Sequence, residues 1–182
     1  MEAIRIKDKT FSLYIGENAL QARIEALAME INSAYAASPP LLVPVLNGAF
    51  LFTADLVRHM NPGSEIHFVR VSSYGDAMDS SGNVRTALGL EVEISDRHIL
   101  IIEDIVDSGL TCDFLKDQFL LMQPASVKIA TLLYKPVSHR GKYKPDFVGF
   151  EIPPAFVVGY GLDYAQLGRE LRGIYRLSSG EE

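Results

Sequence analysis

Residues 101–111, IIEDIVDSGLT, bring carboxylates, hydroxyls and a glycine together in one short span. Glu103 and Asp104 follow an apolar, β-branched run from His98 that reads as a buried strand, so both carboxylates fall where a strand gives way to a loop. Asp107, Ser108, Gly109 and Thr111 come next, and residues 114–122 resume an apolar pattern that predicts a helix. A loop that opens a helix offers unpaired N–H groups and the positive end of the helix dipole, which together make a seat for a phosphate. Gly109 lets the backbone come close to a ligand, and Ser108 and Thr111 add hydroxyl donors. Carboxylates beside that seat repel phosphate and need another partner. An ionised carboxylate only accepts hydrogen bonds, and vicinal sugar hydroxyls can donate to both of them. A phosphorylated sugar satisfies the whole stretch.

The elements that must hold this stretch follow from apolar periodicity. Residues 11–15 predict a short strand. Residues 17–36 predict a helix with Leu20, Ile24, Leu27, Ala28, Ile31 and Tyr35 on one face, ended by Ser38, Pro39 and Pro40. Residues 41–46 read as a buried strand, Asn47 and Gly48 as a sharp turn, and residues 49–60 as a second helix. Residues 65–72 predict a third strand. The polar, aperiodic stretch 73–83, with Tyr74 beside Ser73 and Gly75, has the character of a lid, and residues 84–94 are expected to return as an antiparallel strand. Residues 127–134 predict a strand that ends at Lys135. Residues 146–151 and 155–160 predict two short strands, and residues 162–176, carrying Asp163, Arg169 and Arg172, a helical or irregular segment. Strand, loop and helix units in series imply a parallel sheet with right-handed crossovers, whose loops at the carboxyl ends of the strands face one crevice.

Composition narrows the function classes. A length of 182 residues with 48% hydrophobic content suits one well-packed core. A formal net charge of −6 and a pI near 5.2 argue against a general nucleic-acid binder, whose affinity comes from basic surface. The opening MEAIRIKDKTF lacks the apolar core of a signal peptide, and no run approaches the length of a membrane span, so a cytoplasmic protein without a membrane partner is expected. The single cysteine, Cys112, fits a reducing compartment and reads as a packing residue, because no histidine stands near it in sequence. His59, His67, His98 and His139 show no metal-ligand spacing.

The run IIEDIVDSGLT closely resembles the binding motif for phosphoribosyl pyrophosphate (PRPP) in the type I phosphoribosyltransferases. The resemblance implies that Glu103 and Asp104 hold the ribose hydroxyls and that Asp107, Ser108, Gly109, Leu110 and Thr111 cradle the 5′-phosphate. It also implies an α/β fold in a single domain, 1–182. That fold has a mostly parallel central sheet flanked by helices and a small purine-binding hood from the chain termini, about residues 1–20 and 146–182. Further blocks narrow the family. VLNGAFLFTADLVR (45–58), VSSYG (71–75), TLLYKP (131–136) and YKPDFVGFEIPPAFVVGYGLDY (143–164) resemble the hypoxanthine/guanine phosphoribosyltransferases in order and spacing.

This narrower resemblance implies purine salvage: a 6-oxopurine and PRPP give IMP or GMP and pyrophosphate, with Mg²⁺ as cofactor. It assigns Leu46, Asn47 and Gly48 to the pyrophosphate through their backbone, with Arg169 as a cationic fork and Ser73 and Tyr74 completing the enclosure. Phe156 matches the aromatic that stacks on the base, and Lys135 the donor to the 6-oxo group. Backbone groups of Val157, with Leu162 and Asp163, would meet the pyrimidine-ring edge. Asp107 matches the general base, and Glu103, Asp104 and Asp163 are the candidate metal ligands. A homodimer or homotetramer is implied. The chain departs from the pattern at Asn47, where many members carry lysine, and at Leu167 and Gly168, where an aromatic is common. Two alternatives stay open: a xanthine-preferring enzyme, and a PRPP-binding regulator that has lost catalysis. The second is disfavoured because Asp107, Lys135 and Arg169 are all retained and no basic DNA-binding segment is added.

Overall fold

The computed structural model describes residues 3–71, 90 and 92–178. In chain order its elements are β1 (Ala3–Ile6), β2 (Lys9–Ile15), α1 (Glu17–Ala34), β3 (Leu41–Leu46), α2 (Phe50–Arg58), β4 (Val69–Arg70), β5 (His98–Val106), α3 (Leu110–Leu120), β6 (Ser126–Tyr134), β7 (Phe147–Glu151), β8 (Val157–Val158) and β9 (Ile174–Leu177). Among the described residues, β4, β3, β5, β6 and β7 lie side by side in that order as a parallel sheet. A second, antiparallel sheet has the order β1, β2, β9, β8.

The near-continuous apolar runs of β3, β5 and β6 arise because the parallel sheet is covered on both faces. Side chains alternate along each strand. Leu42, Leu100, Ile102, Ala130 and Leu132 face one core, shared with Leu20, Ile24 and Leu27 of α1 and Phe52 and Leu56 of α2. Leu41, Val43, Ile99, Ile101 and Ile129 face the other, shared with Cys112, Leu115 and Phe119 of α3. Fully burying a side chain of this size contributes roughly 1.5–3 kcal/mol, so β5, at the centre of the sheet, is held from both sides. The same two-sided burial fixes where the carboxyl end of β5 emerges.

Several elements differ from their sequence expectation. β5 does not stop at Ile102: its ladder with β6 continues through Glu103↔Thr131 to Val106↔Tyr134, so Glu103 and Asp104 lie within the strand rather than at its junction with a loop. α3 begins at Leu110, directly after Gly109, whose φ of 85° turns the chain into the helix. Of the described residues in 65–72, only Val69–Arg70 form strand, with an isolated bridge between Leu42 and Ile66. The antiparallel strand expected at 84–94 falls mostly outside the described residues, and residues 92–94 form no strand. β8 is confined to Val157–Val158 because Gly159, Tyr160 and Gly161 all have positive φ, which extended backbone cannot accommodate. Residues 162–173 are irregular, and β9 follows them. β1, with no strong sequence signal, is paired to β2 across the turn at Lys7 and Asp8. Residues 147–151 supply the last strand of the parallel sheet, so the antiparallel sheet takes only β8 and β9 from the later part of the chain. Among the described residues no helix is long and apolar enough to cross a membrane.

Candidate active site

The carboxyl end of β5 opens into a cup of about 110 Å³ whose lining includes Glu103, Asp107, Ser108, Gly109 and Thr111. The first turn of α3 opens on it, and the leading amides of a helix have no partner within the helix. The segment after Lys135 braces the cup from outside. The amides of Arg140 and Gly141 both donate to the Ser108 carbonyl at 3.0 Å, and a Cβ on Gly109 would run into the His139 ring. The Asp113 carboxylate of α3 in turn accepts from the amides of Lys142 (2.7 Å) and Tyr143 (3.0 Å). The side chains of Arg140, Lys142 and Lys144 remain exposed while the backbone between them clamps the loop at Ser108. Cys112 is buried at the wall of the cup, and burial followed by the nearby Glu103 pushes its thiol up, in keeping with a packing residue.

Glu103 and Asp104 are neighbours on a strand and therefore point to opposite faces. Glu103 is 6% exposed and lines the cup; burial, then the charge of Asp104, raises its pKa well above the ordinary carboxylate range. Asp104 packs against Gly48, where a Cβ would fall on its carboxylate. Burial raises Asp104 to about 6, opposed by hydrogen bonds from the amides of Ile105 (3.0 Å) and Asp104 itself and by the charge of Arg169. Raised in this way, both groups are poised to ionise when a cation or hydroxyl donors arrive.

The turn after β3 holds Leu46, Asn47 and Gly48, with a cis peptide bond between Leu46 and Asn47. Gly161 presses against this turn so closely that a Cβ on it would overlap the Gly48 carbonyl oxygen. Arg169 is fixed at the same place: one Nη donates to the Gly161 carbonyl at 2.6 Å and the other pairs with Asp163 at 2.5 Å. The second oxygen of Asp163 accepts from the Gln166 amide at 2.7 Å. Arg169 is thus bonded to the residue that abuts the Gly48 turn, with Leu167 and Gly168 before it.

A larger cavity, about 400 Å³, is lined by Asp107, Lys135, Ser138, Pro154, Ala155, Phe156 and Leu177. The register of β5 with β6 sets Val106 opposite Tyr134, so the residues that follow, Asp107 and Lys135, emerge side by side. They pair at 2.6 Å between Lys135 Nζ and Asp107 Oδ2, with Lys135 only 8% exposed. Phe156 leaves 47% of its surface open while its ring rests on Phe11 (centroids 6.2 Å apart) and edge-on to Tyr164 (5.8 Å). The side chains of Val157 and Leu162 lie in the core rather than in this cavity. Ser138, Ala155 and Leu177 were not singled out from sequence; Leu177 arrives through β9, whose amide there donates to the Phe156 carbonyl at 3.0 Å. Ser73 and Tyr74 lie outside the described residues.

Among the described residues no group of three or more His, Cys, Asp or Glu side chains is arranged to hold a metal ion. Glu103 and Asp104 point apart, and Asp163 is engaged by Arg169 and Gln166. Such a donor set fits a hard cation that takes most of its ligands from substrate oxygens and water, as Mg²⁺ does, rather than an all-protein cage.

A parallel sheet with a phosphate cup and acidic pair at the end of its central strand, beneath a small antiparallel sheet, defines the type I phosphoribosyltransferase fold. The phosphoribosyl transferase domain family matches residues 13–165, and the chain belongs to that family. Within it, the chain is similar to hypoxanthine-guanine phosphoribosyltransferases. That of Bacillus subtilis is 47% identical over 157 residues, covering 86% of this chain and 87% of its own length. That of Aquifex aeolicus is 39% identical over 171 residues, covering 93% and 96%. The crystal structure of a Bacillus anthracis hypoxanthine-guanine phosphoribosyltransferase superposes with a TM-score of 0.83 at 37% identity, covering 92% of this chain and 98% of that one.

Proposed function

We propose that this chain transfers the 5-phosphoribosyl group of PRPP to a 6-oxopurine, hypoxanthine and also guanine, giving IMP or GMP and pyrophosphate. The observation that carries this reading is that Asp107 lines both cavities, the cup of about 110 Å³ and the larger one of about 400 Å³. One carboxylate thus stands between a seat for a phosphorylated sugar and a seat for a base, where the new glycosidic bond has to form.

Each residue then has a task. The backbone and hydroxyls of Ser108, Gly109, Leu110 and Thr111 hold the 5′-phosphate, and Glu103 and Asp104 accept from the ribose hydroxyls. Leu46, Asn47 and Gly48 with Arg169 receive the pyrophosphate. The base stacks on the open face of Phe156, its other edge meeting the backbone of Val157 and the segment at Leu162 and Asp163. Lys135, with three donors, contacts the 6-oxo oxygen without releasing Asp107, and so selects a carbonyl over an amino group at that position. Asp107 takes the proton from the imidazole-ring nitrogen as that nitrogen attacks the anomeric carbon and pyrophosphate departs. Glu103, Asp104 and Asp163 would hold Mg²⁺, which when bound supplies charge neutralisation to the leaving pyrophosphate. The same reading makes the protein a cytoplasmic homodimer or homotetramer.

The test is direct. The protein is incubated with PRPP and Mg²⁺ and offered hypoxanthine, guanine, xanthine and adenine separately. Nucleotide is expected from hypoxanthine and guanine. Turnover of xanthine alone would shift the base assignment, and no turnover with any 6-oxopurine would leave PRPP binding without catalysis and overturn the proposal.

A further inference from the structure

Tyr160 carries a hydrogen-bonded network that none of the substrate contacts explains. Its backbone adopts φ 50°, uncommon for a side chain of this size, between Gly159 and Gly161, both at 99°. Its ring is buried at 4% exposure in the core formed by α1 and α2. Its hydroxyl donates to Oδ2 of Asp55 on α2 in a short hydrogen bond, and Gln21 Nε2 on α1 donates to the same oxygen at 2.7 Å. Burial, then the bond to Asp55, holds the phenol protonated. The segment is also tied on its other side: the Tyr160 amide donates to the Leu171 carbonyl and the Gly161 amide to the Arg169 carbonyl, both at 2.9 Å.

What this network fixes is the next residue. Gly161 touches the Gly48 carbonyl of the pyrophosphate turn and supplies the carbonyl that accepts from Arg169. The turn follows β3 and leads into α2, the helix that carries Asp55. The two helices therefore grip the Gly159–Gly161 segment through one phenol, and that segment sets the Gly48 turn and Arg169 at their working separation. We propose that Tyr160, anchored by Asp55 and Gln21, is a positioning residue for PRPP: it holds Arg169 and the pyrophosphate turn in register without itself touching substrate. This rests on the assignment of the Leu46–Gly48 turn and Arg169 to pyrophosphate. Most of the base side is held by other means, the β5–β6 register for Asp107 and Lys135 and the Phe11 and Tyr164 rings for Phe156, and only the edge contacts at Val157, Leu162 and Asp163 adjoin the anchored segment.

Tyr160→Phe keeps the ring and deletes only the hydroxyl. Asp55→Ala deletes the acceptor, and Asp55→Asn restores a neutral one in the same place. Losing a hydrogen bond to a charged acceptor is expected to weaken PRPP affinity, read by calorimetry in the presence of Mg²⁺, by roughly tenfold. The KM for PRPP should rise in parallel while the KM for hypoxanthine rises much less, and Asp55→Asn should recover most of the PRPP affinity lost in Asp55→Ala. A purely structural role would instead lower the melting temperature and the active fraction with the PRPP constants unmoved. Unchanged PRPP affinity in Tyr160→Phe, or an equal loss for both substrates, would overturn the proposal. If Asp55→Ala does not fold, Tyr160→Phe decides alone. Calorimetry needs no turnover, so an inactive but PRPP-binding parent would refute the transferase reading and still test this one.

Discussion

Replacing Asp104 with Asn separates what this carboxylate does for function from what it does to stability. In the folded protein its pKa is raised from 3.8 to about 6, chiefly by burial. The folded chain therefore holds this proton more tightly than the unfolded chain does. Below the unfolded value both states are protonated and burial carries no charge penalty. As pH rises through that value the unfolded chain ionises first, stability falls, and the loss levels off once the folded pKa of about 6 has been passed. A shift of this size, at about 1.36 kcal/mol per unit, corresponds to roughly 3 kcal/mol. Asn has nearly the same shape, can still accept from the Ile105 amide through its carbonyl oxygen, and is never charged. Urea denaturation of both proteins from acidic to mildly alkaline pH, without PRPP or divalent cations, should show Asp104→Asn gaining on the parent as pH rises. The gain should reach about 3 kcal/mol near neutrality and then stay constant. The same variant should bind PRPP more weakly, because an amide cannot provide the negative charge. A stability difference that does not vary with pH, or one that moves the other way, would refute the claim that burial keeps this carboxylate reluctant to ionise.

Asp107→Asn should lower the rate of nucleotide synthesis by about 10²–10⁴-fold while PRPP affinity is preserved; full activity in that variant would remove Asp107 from the proton transfer. Gly48→Ala places a methyl on the Asp104 carboxylate, so calorimetry should show PRPP binding lost or severely weakened, and normal affinity would contradict the packing described. Asn47→Lys adds a cation at the pyrophosphate turn and should tighten PRPP binding; unchanged or weaker affinity would show that the backbone of this turn does the work unaided.

Much of the fold and part of the site were legible in the chain because their signals are local. β3, β5 and β6 are apolar throughout because both sheet faces are covered, and α1 shows its core face at helical spacing. The phosphate loop can be read from consecutive residues because a strand end, a glycine with positive φ and a helix start must be adjacent to form a cup. Even there, sequence ended the strand at Ile102 and set the Glu103–Asp104 pair at its junction with a loop. Apolar content alone cannot say that the ladder with β6 runs on to Val106.

The rest depends on contacts between residues far apart in sequence. Asp107 and Lys135 become a pair because two parallel strands share a register, and Leu177 enters the larger cavity because β9 returns beside β8. The Ser108 carbonyl is clamped by amides of residues 140 and 141, and Gly161 is held on Gly48 by Tyr160 and Asp55. Whether a carboxylate is charged is decided in the same way: Glu103 and Asp104 carry identical chemistry in the unfolded chain, and it is burial under residues brought from elsewhere that raises them. Residue order was enough to predict a seat for a phosphorylated sugar at residues 103–111. Only the folded arrangement, through strand register and desolvation, decided that Asp107 lines both that cup and the larger cavity beside Lys135 and Phe156.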